Sequence, residues 1–193
     1  MRGSTMAWPR LAPPVLAYST LAQGIAVIHV KRRVSWLESL SKMSKLTLPA
    51  EGGCRCGKVR FRISAAPLLT MACHCRGCQR MSSSAYSLSA AIPASAFELT
   101  QGEPVIGGMH GADRHYFCGH CMTWMFTRPG GIDAFVNCRA TLLDETDWFS
   151  PFVETYTSTK LPFADTGAVH SFEKFPPMEA YEGLLNEYVM TSK

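Results

Sequence analysis

Hydrophobic and polar side chains alternate along much of the chain after residue 51. In residues 58–63, the apolar side chains of Val59, Phe61 and Ile63 alternate with three basic ones. A period of two is typical of a strand with one buried face. Residues 86–92 alternate in the same way. Four further apolar runs predict strands, at residues 114–117, 123–126, 134–138 and 152–156.

Helical patterns are weak by comparison. Residues 93–97 predict one short turn, and only residues 178–190 place apolar side chains at helical spacing. Twelve prolines and fifteen glycines supply turns throughout the chain, which favours a mainly β fold. A chain of 193 residues suits one domain. We predict that this single compact domain spans residues 45–180, and that residues 181–193 form a C-terminal tail with helical potential.

Residues 1–44 differ from the rest in charge, and we expect this N-terminal extension to lie outside the fold. Residues 1–45 contain seven Lys or Arg against one acidic residue, Glu38, whereas the remainder has twelve basic and fourteen acidic side chains. The net charge of +4 therefore comes from the extension. The nearly neutral remainder lacks the concentrated basic charge of a nucleic-acid-binding domain, so we predict no nucleic-acid partner.

The extension also contains an uncharged run at residues 11–30. About 20 apolar residues can span a bilayer, but Pro13, Pro14 and several polar residues interrupt this run. A secretory signal would place its charges before the apolar run, whereas the basic residues 31–33 follow it. We predict no membrane association and a cytoplasmic location. No pattern in the sequence indicates the oligomeric state.

Seven of the eight cysteines lie in three short clusters. Cysteines this close in sequence rarely bond to each other, because a disulfide requires a particular Cα separation and torsion. Thiolates at this spacing readily converge on zinc in C-x-C and C-x-x-C turns. Three such clusters predict zinc sites in a reducing compartment. The clusters are Cys54/Cys56, Cys73/Cys75/Cys78 and Cys118/Cys121.

The number of thiolates predicts two zinc ions per chain, in two kinds of site. A structural zinc takes four protein ligands, whereas a catalytic zinc commonly takes three and keeps one position open. The two pairs would form the closed site. The cluster at residues 73–78 would form the open one, because three ligands within six residues need little loop closure. Cys138 could close that second site, although a lone cysteine in an apolar run is also typical of a core residue.

The residues beside the clusters have more than one interpretation. His74 lies between two predicted ligands, so we expect contact with a ligand or a substrate, or simple exposure, rather than ligation. Nearby basic residues either offset thiolate charge or bind an anionic substrate. Several side chains suit either a pocket or the core. The basic residues are Arg55, Lys58, Arg76 and Arg80, and the pocket candidates are His74, Tyr86, Trp124 and Arg128.

The cysteine clusters and their flanking residues resemble the glutathione-dependent formaldehyde-activating enzyme and centromere protein V family. The matching segments are Gly-Cys-Arg-Cys-Gly at 53–57, Cys-His-Cys-Arg-Gly-Cys at 73–78 and Phe-Cys-Gly-His-Cys at 117–121. Their order and spacing agree with the family over about residues 45–178. The resemblance implies twisted antiparallel sheets, a structural zinc held by the C-x-C and C-x-x-C pairs, and a catalytic zinc held by C-x-C-x-x-C.

Two positions depart from the family pattern. Met122 follows the C-x-x-C pair where glycine is usual, so the local turn is expected to differ. Residues 79–84 lack the usual second basic residue and glycine, so a substrate contact shared with the family is not expected there.

The resemblance implies a zinc-dependent carbon–sulfur lyase. Its substrate would be a glutathione or other thiol adduct of an aldehyde, as for an S-(hydroxymethyl)glutathione synthase. Cys73, Cys75 and Cys78 would act through the open zinc, which can hold a thiol as the nucleophilic thiolate. The alternative is a non-catalytic, zinc-stabilised binding module, because zinc can supply folding energy without turnover. Four protein ligands at both metals would favour the module.

Overall fold

The computed structural model describes residues 45–191. The predicted N-terminal extension, including the run at residues 11–30, lies outside the described residues. Within them, the strands are β1 Ala50–Gly53, β2 Arg60–Ile63, β3 Leu69–Cys73, β4 Ser87–Pro93, β5 Phe97–Gln101, β6 Pro104–His110, β7 Asp113–Cys118, β8 Trp124–Arg128, β9 Phe135–Arg139, β10 Val153–Thr155 and β11 His170–Ser171. Two α-helices accompany them, α1 Arg76–Ser82 and α2 Tyr181–Thr191.

The strands form two sheets, which confirms the prediction of a mainly β fold. A three-stranded sheet has the order β1-β2-β5, and an eight-stranded sheet has the order β11-β10-β3-β4-β9-β8-β7-β6. The pairings of these strands are antiparallel except at β10, which runs parallel to both β3 and β11. The expectation of antiparallel sheets therefore needs this correction at one edge of the larger sheet.

The main core lies between the two sheets. The alternating pattern of residues 58–63 predicts its contribution from β2 correctly, since Phe61 and Ile63 are fully buried and Arg62 is exposed. The ring of Phe97 on β5 stacks on Phe61 at 5.3 Å and contacts Phe126 on β8 at 4.8 Å, measured between ring centroids. Aromatic and aliphatic side chains from both sheets thus form one hydrophobic cluster.

The opposite face of the larger sheet is partly covered by α2. Leu184 and Tyr188 are buried there against Leu69, Phe152 and Val153. The apolar spacing of residues 178–190 therefore does correspond to a helix, preceded by a 3-10 turn at Met178–Ala180. Among residues 45–191, no helix has the length and apolar character needed to cross a membrane.

Strand β4 and helix α1 differ from the sequence expectations. In β4 the alternation fails, because Ala90, Ala91 and Ile92 are all buried in a strand covered on both faces. Helix α1 was not predicted, because its seven residues contain glycine and cysteine and have no buried apolar stripe. The predicted turn near residues 93–97 is a 3-10 turn at Ala94–Ala96.

Candidate metal centres

Four cysteine sulfurs come together between two turns that are far apart in the sequence. Cys54 and Cys56 lie in the turn between β1 and β2, whereas Cys118 ends β7 and Cys121 lies in the turn between β7 and β8. All four Sγ atoms lie within 4.8 Å of one another. Cys54 Sγ is 3.5 Å from Cys56 Sγ, which in turn is 3.8 Å from Cys118 Sγ. We call this group the four-thiol cluster.

Backbone hydrogen bonds shape both turns of the four-thiol cluster. The Val59 N–H donates to Cys54 Sγ at 3.3 Å, a contact that stabilises a thiolate. Gly57 has a φ of +75°, which glycine adopts without strain. In the second turn, the Met122 N–H donates to the Cys118 carbonyl at 2.9 Å.

Met122 itself has a φ of +56°, in the left-handed region. The turn after the second pair therefore has the conformation that glycine would adopt, with a methionine in its place. The expectation that this turn differs from the family's stays a prediction. A non-glycine residue in the left-handed region is strained, because its Cβ crowds the backbone. The Met122 side chain is 61% exposed, so burial offers little to offset this strain.

Three more sulfurs come together within one short segment. Cys73 ends β3, Cys75 caps the N-terminus of α1, and Cys78 lies in the first turn of that helix. Their Sγ atoms lie within 4.8 Å of one another. The Cys78 N–H donates to Cys75 Sγ at 3.3 Å, so the same contact caps the helix and stabilises a thiolate. We call this group the three-thiol cluster.

The electrostatics of the three-thiol cluster favour one thiolate, not three. Contacts with Cys73 and Cys78 lower the pKa of Cys75 to about 2. The neighbouring sulfurs have the opposite effect elsewhere: Cys75 raises the pKa of Cys73, and Cys73 raises that of Cys78 far above its usual range. Complete deprotonation therefore needs a nearby cation. This donor set suits a soft divalent metal, which binds thiolates and displaces their protons.

Cys138 does not join the three-thiol cluster. In the sheet, Cys73 pairs with Ser87, and Ser89 pairs with Arg139. Because side chains alternate along a strand, these residues share one face, and Cys138 lies on the other. Cys138 is 1% exposed within the main core, and burial raises its pKa to about 12. Among the described residues, no fourth His, Cys, Asp or Glu side chain joins the cluster.

His74, between the first two sulfurs of that cluster, is completely buried. Its Nε2 lies 3.1 Å from Glu154 Oε2, and its ring packs edge-on against Tyr86 with centroids 5.3 Å apart. The expectation of simple exposure is wrong, since this side chain anchors the loop that carries the cluster. The side chain of Gln79 on α1 donates to the His74 carbonyl at 2.8 Å and fixes the same loop.

Glu154 is the centre of a buried polar network. Its carboxylate accepts hydrogen bonds from Lys160, Thr166 and Ser171 as well as facing His74. Burial raises the pKa of Glu154, but the bonds from Lys160, Ser171, Thr166 and His74 outweigh it and lower the pKa to about 2. A permanent carboxylate therefore ties the segment 73–75 to the C-terminal part of the domain.

An irregularity in β8 brings a tryptophan and an arginine together on the face of the three-thiol cluster. Tyr116 pairs with Phe126, but the next residue, Phe117, pairs with Trp124. Met125 is thus an extra residue in β8, and this bulge turns Trp124 to the face that carries Arg139. The guanidinium carbon of Arg139 lies 4.0 Å from the centroid of the Trp124 ring.

Trp124 and Arg139 line a cavity of about 380 Å³. Residues from three segments, 81–88, 122–123 and 141–142, complete its lining. Of the four predicted pocket residues, Tyr86 and Trp124 line this cavity, whereas His74 and Arg128 do not. The sequence does not indicate that Arg139 lines a cavity, because an arginine at the end of an apolar strand is commonly exposed. The remaining lining residues are Met81, Ser82, Ser84, Ser87, Leu88, Met122, Thr123, Thr141 and Leu142.

The fold and the two clusters define a mainly β protein with two groups of thiols able to hold metal ions. The family model for the glutathione-dependent formaldehyde-activating enzyme matches residues 49–159, more than half of the chain. The chain therefore belongs to this family. Among solved structures, it is similar to a crystal structure of a Rhodobacter sphaeroides protein, at 18% identity and a TM-score of 0.41, covering 49% of this chain and 87% of that one. That similarity is too low to carry an argument.

Proposed function

We propose that the chain is a zinc-dependent enzyme that makes or breaks the carbon–sulfur bond of an adduct between an aldehyde and a thiol. Membership of the formaldehyde-activating family supports this class of chemistry and glutathione as the thiol. Cys54, Cys56, Cys118 and Cys121 would hold a structural zinc. Cys73, Cys75 and Cys78 would hold a second zinc.

The observation that carries this proposal is the three-thiol cluster without a fourth described ligand. A metal held by three protein ligands keeps a position for an exogenous group, whereas a structural zinc is closed by four. When bound there, zinc would supply a position at which a thiol is deprotonated and nucleophilic. Cys138 lies on the other face of the sheet, so the chain does not close that position with its remaining cysteine.

The residues around the cluster have positioning roles. Cys75 holds α1 in register with the end of β3 through its contact with the Cys78 N–H. The pair formed by His74 and Glu154 fixes the peptide between Cys73 and Cys75. Both interactions keep the three sulfurs in one geometry, as preorganised catalysis requires.

The reaction needs no reactant besides the thiol and the aldehyde. The sulfur of the thiol forms a bond to the aldehyde carbon, and the thiol proton passes to the carbonyl oxygen. The product is a hydroxyalkyl thioether. In the reverse direction the carbon–sulfur bond breaks and the proton returns to sulfur.

The test is the exchange rate between formaldehyde, glutathione and their adduct, measured by magnetisation-transfer NMR because the addition also occurs spontaneously. We expect the wild-type protein to accelerate exchange over the same mixture without protein. Cys75→Ser should lose the acceleration while remaining folded, and Cys138→Ala should keep it, as a matched change at a cysteine outside both clusters. If zinc-loaded wild type leaves exchange at the spontaneous rate, the proposal of an enzyme is contradicted. The alternative, a zinc-stabilised binding module, would then be favoured.

A further inference from the structure

Arg139 is a buried cation whose charge no carboxylate balances. Its side chain is 8% exposed, and no acidic side chain of the described residues lies within ion-pair distance. Nη2 donates to the Asn137 carbonyl at 3.2 Å, while the buried Nε has no described partner. Burial lowers the pKa of Arg139, the nearby sulfurs of Cys78, Cys138 and Cys73 raise it in part, and an arginine keeps its proton in proteins. A buried charge of this kind requires compensation.

One other side chain of the same cavity also has a buried donor without a hydrogen-bond partner, the indole Nε1 of Trp124. The hydroxyl of Ser87, which also lines the cavity, contacts Cys78 and lowers the pKa of that thiol. Buried donors are nearly always satisfied, by protein, water or a ligand. Two unsatisfied donors, Arg139 Nε and Trp124 Nε1, around one cavity without an acidic lining residue indicate a site for an anion.

The cavity lies beside the three-thiol cluster. Ser87, which lines it, is the direct pairing partner of Cys73 on the neighbouring strand. Arg139 is next along the same face, opposite Ser89. Its volume of about 380 Å³ falls in the range of small-molecule sites. A ligand with its sulfur at the cluster can therefore extend an anionic group toward Arg139.

We propose that this cavity binds a carboxylate of the thiol ligand, with Arg139 as the main partner of that carboxylate. The proposal deepens the function proposed above and depends on it for the identity of the thiol. A carboxylate fits better than a phosphate, because the cavity offers one cation and lies beside thiolates that repel a second negative charge. The guanidinium can bind both carboxylate oxygens while it stacks on Trp124.

A competing role for Arg139 is to offset the charge of the thiolate cluster and nothing more. The two roles differ in what a substitution changes. Loss of charge compensation would weaken metal binding at Cys73, Cys75 and Cys78 without affecting the choice between ligands. Loss of a carboxylate site would remove the preference for a carboxylated ligand over an esterified one.

The experiment measures binding of S-methylglutathione and of its dimethyl ester to the zinc-loaded full chain by titration calorimetry. The methylated sulfur cannot form a thiolate, so binding is measured without turnover. We expect wild type to prefer the free acid by at least about tenfold, and Arg139→Met to lose that preference. Arg139→Lys should keep part of the preference for the free acid. This variant replaces Arg139→Met in the comparison if the methionine variant does not fold. Arg128→Met, at an arginine outside the cavity lining, should leave the preference unchanged.

Equal affinity of wild type for acid and ester would overturn the proposal, as would an unchanged preference in Arg139→Met. Zinc is counted in each variant: loss of metal with the preference intact identifies charge compensation as the sole role. The outcomes also separate this proposal from the proposed reaction. Wild type that prefers the acid but does not accelerate exchange contradicts the reaction alone. Acceleration with thiols that lack a carboxylate, together with equal binding of acid and ester, contradicts the carboxylate site alone.

Discussion

The two cysteine clusters differ in how far apart their members lie in the sequence. The four-thiol cluster joins two turns that are 62 residues apart, measured between Cys56 and Cys118. The three-thiol cluster lies within one segment of six residues and is held by a helix N-terminus, a strand end and the buried contact between His74 and Glu154. The four-thiol cluster thus connects distant parts of the chain, whereas the three-thiol cluster is positioned by the strand, the helix and the buried contact that surround it.

We expect the fold to depend more on the four-thiol cluster than on the three-thiol cluster. A metal in the four-thiol cluster closes a long loop, and the exposed turns around Cys56 and Met122 have little apolar burial of their own. A metal in the three-thiol cluster closes almost no loop, because its ligands are already neighbours. We therefore expect the first metal to contribute stability and the second to contribute chemistry.

The largest expected effect is at the closed cluster. Cys118→Ser should unfold much of the domain, because structural zinc in small sites supplies on the order of 10 kcal/mol of folding free energy. Circular dichroism and urea denaturation would measure the loss, with zinc counted by elemental analysis. Cys75→Ser is the matched change at the other cluster and should stay folded while one of two zinc ions is lost. Equal destabilisation by the two substitutions would remove the distinction between the clusters.

The next effect concerns Glu154, whose buried carboxylate contacts His74 beside the three-thiol cluster. The pKa of Glu154 is lowered from 4.5 to about 2, so its carboxylate stabilises the fold above pH 4.5, and this contribution is lost as pH falls toward 2. Glu154→Gln should lower the free energy of unfolding by about 3 kcal/mol at neutral pH. The gap between variant and wild type should begin to narrow below about pH 4.5 and close as the pH approaches 2, measured by urea denaturation across pH.

A matched control is Glu187→Gln. Glu187 also contacts a histidine, with Oε2 3.0 Å from His170 Nε2, but at an exposed position. Exposed pairs contribute under about 1 kcal/mol, so this variant should be close to wild type at all pH values. A gap between Glu154→Gln and wild type that stays constant with pH would show that the carboxylate charge is not what stabilises the network.

Cys138 tests whether the second cluster is open. Cys138→Ala should cost about 1 kcal/mol, because it removes one buried sulfur from the main core. The zinc content should be unchanged, since this residue lies on the other face of the sheet from Cys73. Loss of a zinc ion from this variant would show that Cys138 is a ligand and that the second cluster is closed.

The smallest expected effect is at Met122. Its left-handed backbone costs of order 1 kcal/mol, and Met122→Gly would remove that cost but add flexibility to the unfolded chain. The net change in stability should lie between zero and about 1 kcal/mol in favour of the variant. Met122→Val should be destabilising, because a β-branched residue is strongly disfavoured at positive φ. Thermal unfolding of the two variants checks the sign, and a more stable valine variant would be inconsistent with this turn.

The sequence predicts strands best where one face alone is buried. The alternation in residues 58–63 describes β2 well, whereas β4 is covered on both faces and its true pattern is nearly all buried. The spacing of Cys73, Cys75 and Cys78 predicts their grouping, because neighbours in sequence are neighbours in space. The joining of Cys54 and Cys56 with Cys118 and Cys121 instead follows from the number of ligands that a closed zinc site needs. The parallel pairing of β10, between β3 and β11, depends on long-range topology that no local pattern encodes.

Arg139 shows why the rest of the site could not be predicted. Its placement depends on the register of three strands and on one extra residue in β8, which turns Trp124 to the same face. The position of His74 between predicted ligands is visible in the sequence, but its partner Glu154 is 80 residues away. Burial of charged groups arises from tertiary packing, so neither residue is distinguished by its neighbours in the sequence.

A crystal structure of the full chain, with anomalous diffraction measured at the zinc absorption edge, would show directly whether the two clusters hold zinc. We predict two zinc peaks per chain. One should be surrounded by the sulfurs of Cys54, Cys56, Cys118 and Cys121, and the other by those of Cys73, Cys75 and Cys78 with one ligand that is not from the protein. A single peak, or a fourth protein ligand at the second zinc, would contradict the account.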